Sequence, residues 1–381
     1  MRYFISAGEV SGDLHAAALI GAFRSVDEGA CFSFLGGDLM AAAAGTAPLV
    51  HIRDMAYMGF SEVLRHLPDI RANLRVAIDA VRSRSMRPDA VVLVDYPSFN
   101  LKIAREANRL GIPVFYYIPP KVWAWKEWRV KSIRRYCSDV FCILPFEPDF
   151  YSRHGMTVAY VGNPSVEEVD AALPSLVAVP SDKPLLALVP GSRMGEIRNN
   201  LPVMLEAASM FAGSLTPAIA GAPGIPADFY ESLAPGIPVH YDASLGLMSS
   251  ASVALATSGT ATLECALVGT PQVACYRANG SRISYEIMRR LLKIPYVTLP
   301  NLIMGEEIIP EMLLHNCTPD RVAAALATLL PGSRERDVMV GNYARMRTRL
   351  GNATPALSAA RAIVRRIAPT GTPGTPGVTP T

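Results

Sequence analysis

Apolar residues come in short, unbroken runs separated by longer mixed stretches. RYFISA (2–7) leads into SGDLHAAALIGAFRSV. AVVLVD (90–95) follows a helical region and leads, through YPSFN, into LKIAREANRLG. PVFYYI (113–118), a basic helix candidate over 126–136 and DVFCILP (139–145) come next. The second half repeats the rhythm with PLLALVP (184–190), TPAIAGA (216–222), PVHYD (238–242), SVALAT (252–257) and PQVACYR (271–277). Strands buried on both faces read as continuous apolar runs, and their alternation with helices predicts parallel sheets. Pro164, Pro174, Pro180 and Pro184 punctuate a stretch without periodicity, which places a boundary near 163–183.

The expected fold is α/β, with two Rossmann-like domains of similar size facing a cleft. The first spans 1–165 and the second 166–339. Helices over about 340–367 are expected to pack back on the first domain. The Pro/Gly/Thr segment 368–381 is expected to be disordered. A length of 381 residues fits two domains at about 150 residues each.

Half of the residues are hydrophobic and 18% are charged, which argues against disorder over most of the length. Lys+Arg 36 against Asp+Glu 33 leaves +3, too small a balance for a dedicated nucleic-acid binder. The six Cys lack the paired spacing of a zinc site, and a reduced cytoplasmic chain is expected. No apolar run reaches the roughly 18 residues of a spanning helix, and the first residues lack a signal-peptide core.

Candidate chemistry gathers where strands end. Asp95 closes AVVLV, at the strand end where parallel sheets bind ligands, and a carboxylate there suits a general base. A loop Asp held by backbone N–H groups fits the position equally well. Ser258-Gly259-Thr260 opens a helix after SVALAT, and free N–H groups there suit a diphosphate. Glu264, one turn on, suits the hydroxyls of a ribose. An ordinary capped helix with an acidic turn is the competing reading. Ser192 and Arg193 of PGSR follow another strong strand, where an Arg at a helix start suits phosphate. Glu9, Ser11 and Gly12 form a small-residue loop after the first strand, which also reads as a plain βα turn.

The segment 121–136 holds all three Trp with six Lys/Arg, expected as Trp inward or at a cleft and a basic face outward. Met55, Tyr57, Met58, Phe60, Val63 and Leu64 precede a run of Arg and read as core or as a membrane-facing acyl-chain patch. No Asp-x-Asp, His/Cys cluster or G-x-S-x-G is present, so no metal or cofactor is expected.

SAGEVSGDLHAA, VDYPSFN, YYIPPKVWAWKEWRV, LPFEPDFY, LVPGSRMGEI, TSGTATLECAL and VTLPNLI occur in this order. Together they closely resemble the lipid-A-disaccharide synthase family, from about residue 3 to about 330. The resemblance implies a GT-B glycosyltransferase fold, with the donor mainly in the C-terminal half and the acceptor mainly in the N-terminal half. It implies UDP-2,3-diacylglucosamine as donor, 2,3-diacylglucosamine 1-phosphate (lipid X) as acceptor, and a β-1,6 disaccharide 1-phosphate plus UDP as products. By the same resemblance Asp95 is the base, and Arg193 lies near the donor phosphates. Ser258, Gly259 and Thr260 hold the diphosphate, with Glu264 on the ribose. Asn301 of PNL lies near the donor, and residues 55–67 dock on a membrane. It implies a cytoplasmic protein, peripheral on the inner face of the inner membrane of a Gram-negative cell. A homodimer with exchanged C-terminal segments, in which Arg277 and Asn301 act across subunits, is also compatible. A UDP-sugar 2-epimerase and a non-catalytic nucleotide or lipid binder at the membrane surface are the alternative readings.

Overall fold

The computed structural model describes residues 1–55, 66–277 and 294–368. The apolar runs become parallel strands. In the first half these are β1 (Arg2–Ala7), β2 (Cys31–Gly36), β3 (Val50–His51), β4 (Ala90–Val94), β5 (Val114–Tyr117), β6 (Asp139–Cys142) and β7 (Ala159–Tyr160). In the second they are β8 (Leu185–Val189), β9 (Thr216–Gly221), β10 (Val239–Tyr241), β11 (Val253–Ala256), β12 (Gln272–Tyr276) and β13 (Glu311–Leu313). β2, β3, β7 and β13 carry no signal strong enough to have been read from sequence. β3 and β7 have only two residues each, and β2 begins at the exposed Cys31.

The strands form two sheets, ordered β3-β2-β1-β4-β5-β6-β7 and β10-β9-β8-β11-β12-β13. β1 pairs with β4 in parallel, with Ser6 opposite Leu93, and β11 pairs with β8, with Ala256 opposite Val189. In each sheet the chain builds outward from its first strand, then crosses back and builds the other way. That reversal opens a crevice at the strand C-termini, between β1 and β4 and between β8 and β11. All five residues of β4 and of β8 are buried, as strands covered on both faces must be.

Two apolar clusters cover the faces of the first sheet and two cover the second. The helix Pro164–Ala172 leaves the first sheet but sends Val166 and Val169 into the second half's core. The helix Pro355–Ile367 returns to the first half, where Ala359, Ala360 and Ile363 join the cluster of Leu19, Ile20 and Phe23. The preceding helix, Arg334–Leu350, stays with the second half through Met339, Tyr343, Met346 and Leu350. Residues 369–381, read as a disordered tail, lie outside the described residues. Among the described residues no helix is long and apolar enough to cross a membrane. All six cysteines are free.

Candidate active site

Asp95 stands at the first crevice, immediately beyond β4. It and Tyr96 adopt left-handed backbone, φ 43° and φ 47°. Two consecutive non-glycine residues in that region are strained and must be held by their surroundings. The Asp95 carbonyl accepts hydrogen bonds from Tyr116 Oη at 2.7 Å and Asn100 Nδ2 at 2.8 Å. Asn100 also donates to the carbonyls of Ser6 and Val94, and its Oδ1 accepts from Ser6 Oγ at 2.7 Å. This fully buried amide therefore ties the ends of β1 and β4 together under the crevice. Tyr96 lies flat on Gly8, where a Cβ would sit 2.4 Å from the ring, and its hydroxyl donates to the Met55 carbonyl. Gly8 is thus required for the approach of Tyr96.

Burial and the neighbouring Glu9 charge push the Asp95 carboxyl up to about 6, against the opposing pull of Lys121 and Arg129. A carboxylate titrating there is available as a base near neutral pH. Glu9 thus lies close enough for its charge to act on Asp95, while Ser11 is exposed and Gly12 is buried against Ala7. Asp13, one residue on, is structural. Its carboxylate accepts from the backbone N–H groups of Gly37, Leu39 and Met40, holding the start of the helix Asp38–Ala44.

The second crevice is built on the same plan. Buried Asn200 donates to the Pro190 carbonyl at 2.9 Å and to Thr257 Oγ1 at 3.0 Å, and its Oδ1 accepts from Arg277 N at 2.7 Å. One amide thereby joins the loops after β8, β11 and β12. These loops carry Ser192 and Arg193, Ser258 to Thr260, and Arg277. Gly259 has φ 140°, open only to glycine, at the N-cap of the helix Thr260–Leu267, and among the described residues a Cβ there would meet nothing within 4 Å. Glu196 already engages the PGSR loop: its carboxylate accepts from Ser192 N and from Arg193 Nη1. Arg193 is more than half exposed in that pair, so an incoming phosphate competes with Glu196 at the surface, where such pairs are weak. The Arg277 side chain is exposed.

The halves meet at a group of ionisable residues in which Glu264 is joined by two that the sequence does not single out, Glu168 and His15. Glu264 is partly buried, and burial raises its carboxyl. Glu168, on the helix Pro164–Ala172, is pushed to about 6 by burial, Glu264 and Glu167. His15, from the first half, lies 3.7 Å from Glu168, and burial lowers its ring to about 4. Trp123 packs against the cores of both halves and donates from Nε1 to Glu147, a buried carboxyl raised to about 7 by its burial.

The structure also places Asn301, Met55 and the three Trp. Asn301 is fully buried and spent on its own chain. Its amide donates to the Ile309 carbonyl and Glu311 Oε1, and its Oδ1 accepts from Ile308 N and Ile309 N. It braces the turn before β13 and has no bond to spare for a ligand. Met55 is 1% exposed in the first half's core, so it is no surface anchor. Tyr57, Met58, Phe60, Val63 and Leu64 lie outside the described residues. Trp123 is turned inward, and Trp125 and Trp128, 54% and 65% exposed, line a cavity of about 520 Å³ with Lys126, Lys131 and Arg134. Among the described residues no three His, Cys, Asp or Glu come together in a metal-holding group.

Two facing parallel α/β units, each with an open crevice at its switch point, define the GT-B class of glycosyltransferases and related epimerases. Solved structures of this class align along almost the whole chain. A UDP-GlcNAc 2-epimerase from Neisseria meningitidis has TM-score 0.63 at 12% identity, covering 96% of this chain and 99% of the other. The calicheamicin glycosyltransferase CalG4 has TM-score 0.62 at 17% identity, covering 97% and 100%. These likenesses carry the fold alone. The sequence separates the two activities. The model of the lipid-A-disaccharide synthetase family matches residues 3–354. The lipid-A-disaccharide synthase of Myxococcus xanthus is 38% identical, covering 97% of this chain and 98% of the relative. That of Acidobacterium capsulatum is 36% identical, with 93% of each covered. The chain belongs to the lipid-A-disaccharide synthase family, and is thus a glycosyltransferase.

Proposed function

We propose that this protein condenses UDP-2,3-diacylglucosamine with 2,3-diacylglucosamine 1-phosphate by inverting transfer, releasing UDP and a β-1,6-linked disaccharide 1-phosphate. The observation that carries the mechanism is Asp95, held at the first crevice by Asn100 and Tyr116 with its carboxyl raised to about 6. The acceptor's 6-hydroxyl attacks the anomeric carbon of the donor, the bond from that carbon to the diphosphate oxygen breaks, and Asp95 takes the hydroxyl proton. Charge growing on UDP is stabilised by the N–H groups at Thr260, by the hydroxyls of Ser258 and Thr260, and by Arg193 once it leaves Glu196. Glu264 accepts from the ribose hydroxyls. Glu9, Ser11 and Gly12 line the acceptor side.

The acyl chains of both substrates place the reaction at a lipid surface, the inner face of the inner membrane. The stretch Tyr57 to Leu64 is the proposed anchor there. An epimerase would have no use for an acyl-chain surface, and the family match favours the synthase.

The test is incubation of the purified protein with both substrates in neutral detergent and EDTA, with mass spectrometry of the products. A disaccharide phosphate with one UDP per turnover is expected. Asp95→Asn should lower turnover by roughly 10²–10⁴ while UDP still binds. Undiminished turnover removes Asp95 from the base role.

A further inference from the structure

Arg129 is a charged side chain in a place that charges avoid. It is 7% exposed, at the end of the single turn Glu127–Arg129, which follows the left-handed Lys126 (φ 56°). Its guanidinium donates to Ser98 Oγ at 2.7 Å and lies 5.6 Å from the Trp128 ring centre. Among the described residues no carboxylate comes within ion-pair distance of it. A buried guanidinium with no carboxylate in ion-pair contact is costly, because water no longer solvates it. One hydroxyl and one ring do not neutralise it.

Its location says what would. Ser98 is three residues beyond Asp95, at the start of the same helix. The charges of Arg129 and Lys121 both reach the Asp95 carboxylate. Lys121 is exposed, on the loop after β5, whose Ile118 carbonyl accepts from Asp95 N. Two cations therefore lie close enough to Asp95 for their charges to oppose that of Glu9. The diphosphate loops after β8 and β11 belong to the other half, whereas these two cations stand in the half that carries Asp95. If the synthase reading holds, the acceptor puts its 6-hydroxyl at Asp95. Its only phosphate, on C1, then lies one sugar ring away from the base.

We propose that Arg129, assisted by Lys121, forms an anion site for the phosphomonoester of the acceptor, and so selects a 1-phosphorylated sugar over its unphosphorylated counterpart. Guanidinium suits this ligand because its planar fork donates to two phosphate oxygens at once. No covalent step is involved. The proposal rests on the synthase reading for the identity of the ligand.

The experiment compares acceptors with and without the 1-phosphate, in neutral-detergent micelles free of other phosphate, as the ratio of their kcat/KM. Arg129→Gln should reduce that ratio by roughly 10–100-fold, the range for charged hydrogen bonds, with the UDP dissociation constant unchanged. Arg129→Lys should restore part of it. Ser98→Ala removes the same hydrogen bond but keeps the charge, and should leave the ratio intact. A ratio unchanged in Arg129→Gln, or lowered equally by Ser98→Ala, overturns the proposal. Should Arg129→Gln fail to fold, Arg129→Lys decides: a ratio equal to wild type then overturns it. Co-sedimentation with phosphatidylglycerol vesicles tests the other source of phosphate. Weaker vesicle binding by Arg129→Gln with an unchanged ratio would assign the site to lipid headgroups and refute acceptor selection. If the wild type forms no disaccharide, the synthase reading fails separately. Calorimetric binding of the acceptor without donor, wild type against Arg129→Gln, still reads the site, and equal affinities refute it.

Discussion

Asn200→Ala removes one side chain and uncouples three loops. The amide makes three hydrogen bonds, to Pro190, Thr257 and Arg277, at 2.9, 3.0 and 2.7 Å. Each is worth about 1 kcal/mol net, and the Pro190 carbonyl and Thr257 hydroxyl are left buried without that partner. The expected loss is therefore about 2–4 kcal/mol, read as a lower urea midpoint with unchanged slope. Function should suffer separately. The three loops hold Arg193, Ser258 to Thr260 and Arg277, and loosening their register should weaken UDP binding by about tenfold or more, measured by calorimetry on the folded variant. Asn200→Asp keeps an acceptor for Arg277 N but cannot donate to the Pro190 carbonyl, so it should recover only part of the affinity. Asn100→Ala, the matching change in the other half, should spare UDP binding. Wild-type UDP affinity in Asn200→Ala, or an equal loss in Asn100→Ala, would refute the reasoning.

The acidic limb of kcat/KM should lie near pH 6 and fall about tenfold per pH unit below it, because protonated Asp95 cannot accept the hydroxyl proton. Glu9→Gln removes a charge that raises Asp95, so its limb should move to lower pH; a limb that stays in place dismisses the coupling. Glu147 is raised from the ordinary 4.5 to about 7 by burial, so the folded state keeps a proton that the unfolded chain releases. Its contribution to stability is full below about pH 4.5 and is lost as pH rises through 7. In Glu147→Gln the decline of the denaturation midpoint between pH 5 and 8 should be shallower than in wild type, and an identical slope counts against this origin. Asn301→Ala should lower stability by about 2–4 kcal/mol through four lost hydrogen bonds, seen in thermal unfolding, even in the absence of substrates. A variant as stable as wild type that has lost only donor affinity would restore Asn301 to the donor site.

Much of this protein is determined by local sequence. The apolar runs of β1, β4, β8 and β11 mark parallel strands because only strands covered on both faces are apolar without interruption. Asp95, Ser192 and Ser258 were legible as site candidates because in such sheets the residue after a strand stands at the ligand-binding edge. The seven ordered motifs carried the family. Tertiary structure decided what depends on partners far along the chain. Asn100 and Asn200 look like ordinary helix polar residues until β1 meets β4, and β8 meets β11 and β12, above them. Asn301 stands in a family motif, yet its neighbours at 308–311 occupy every bond it can make. Asp13 serves a helix more than twenty residues away. His15, Glu168 and Glu264 acquire their shifts only because two halves and a linking helix close around them. Arg129 reads as one more surface cation in a basic run, and only the fold buries it. Periodicity and strand ends are properties of neighbours in sequence. Burial, charge coupling and hydrogen-bond satisfaction are properties of neighbours in space.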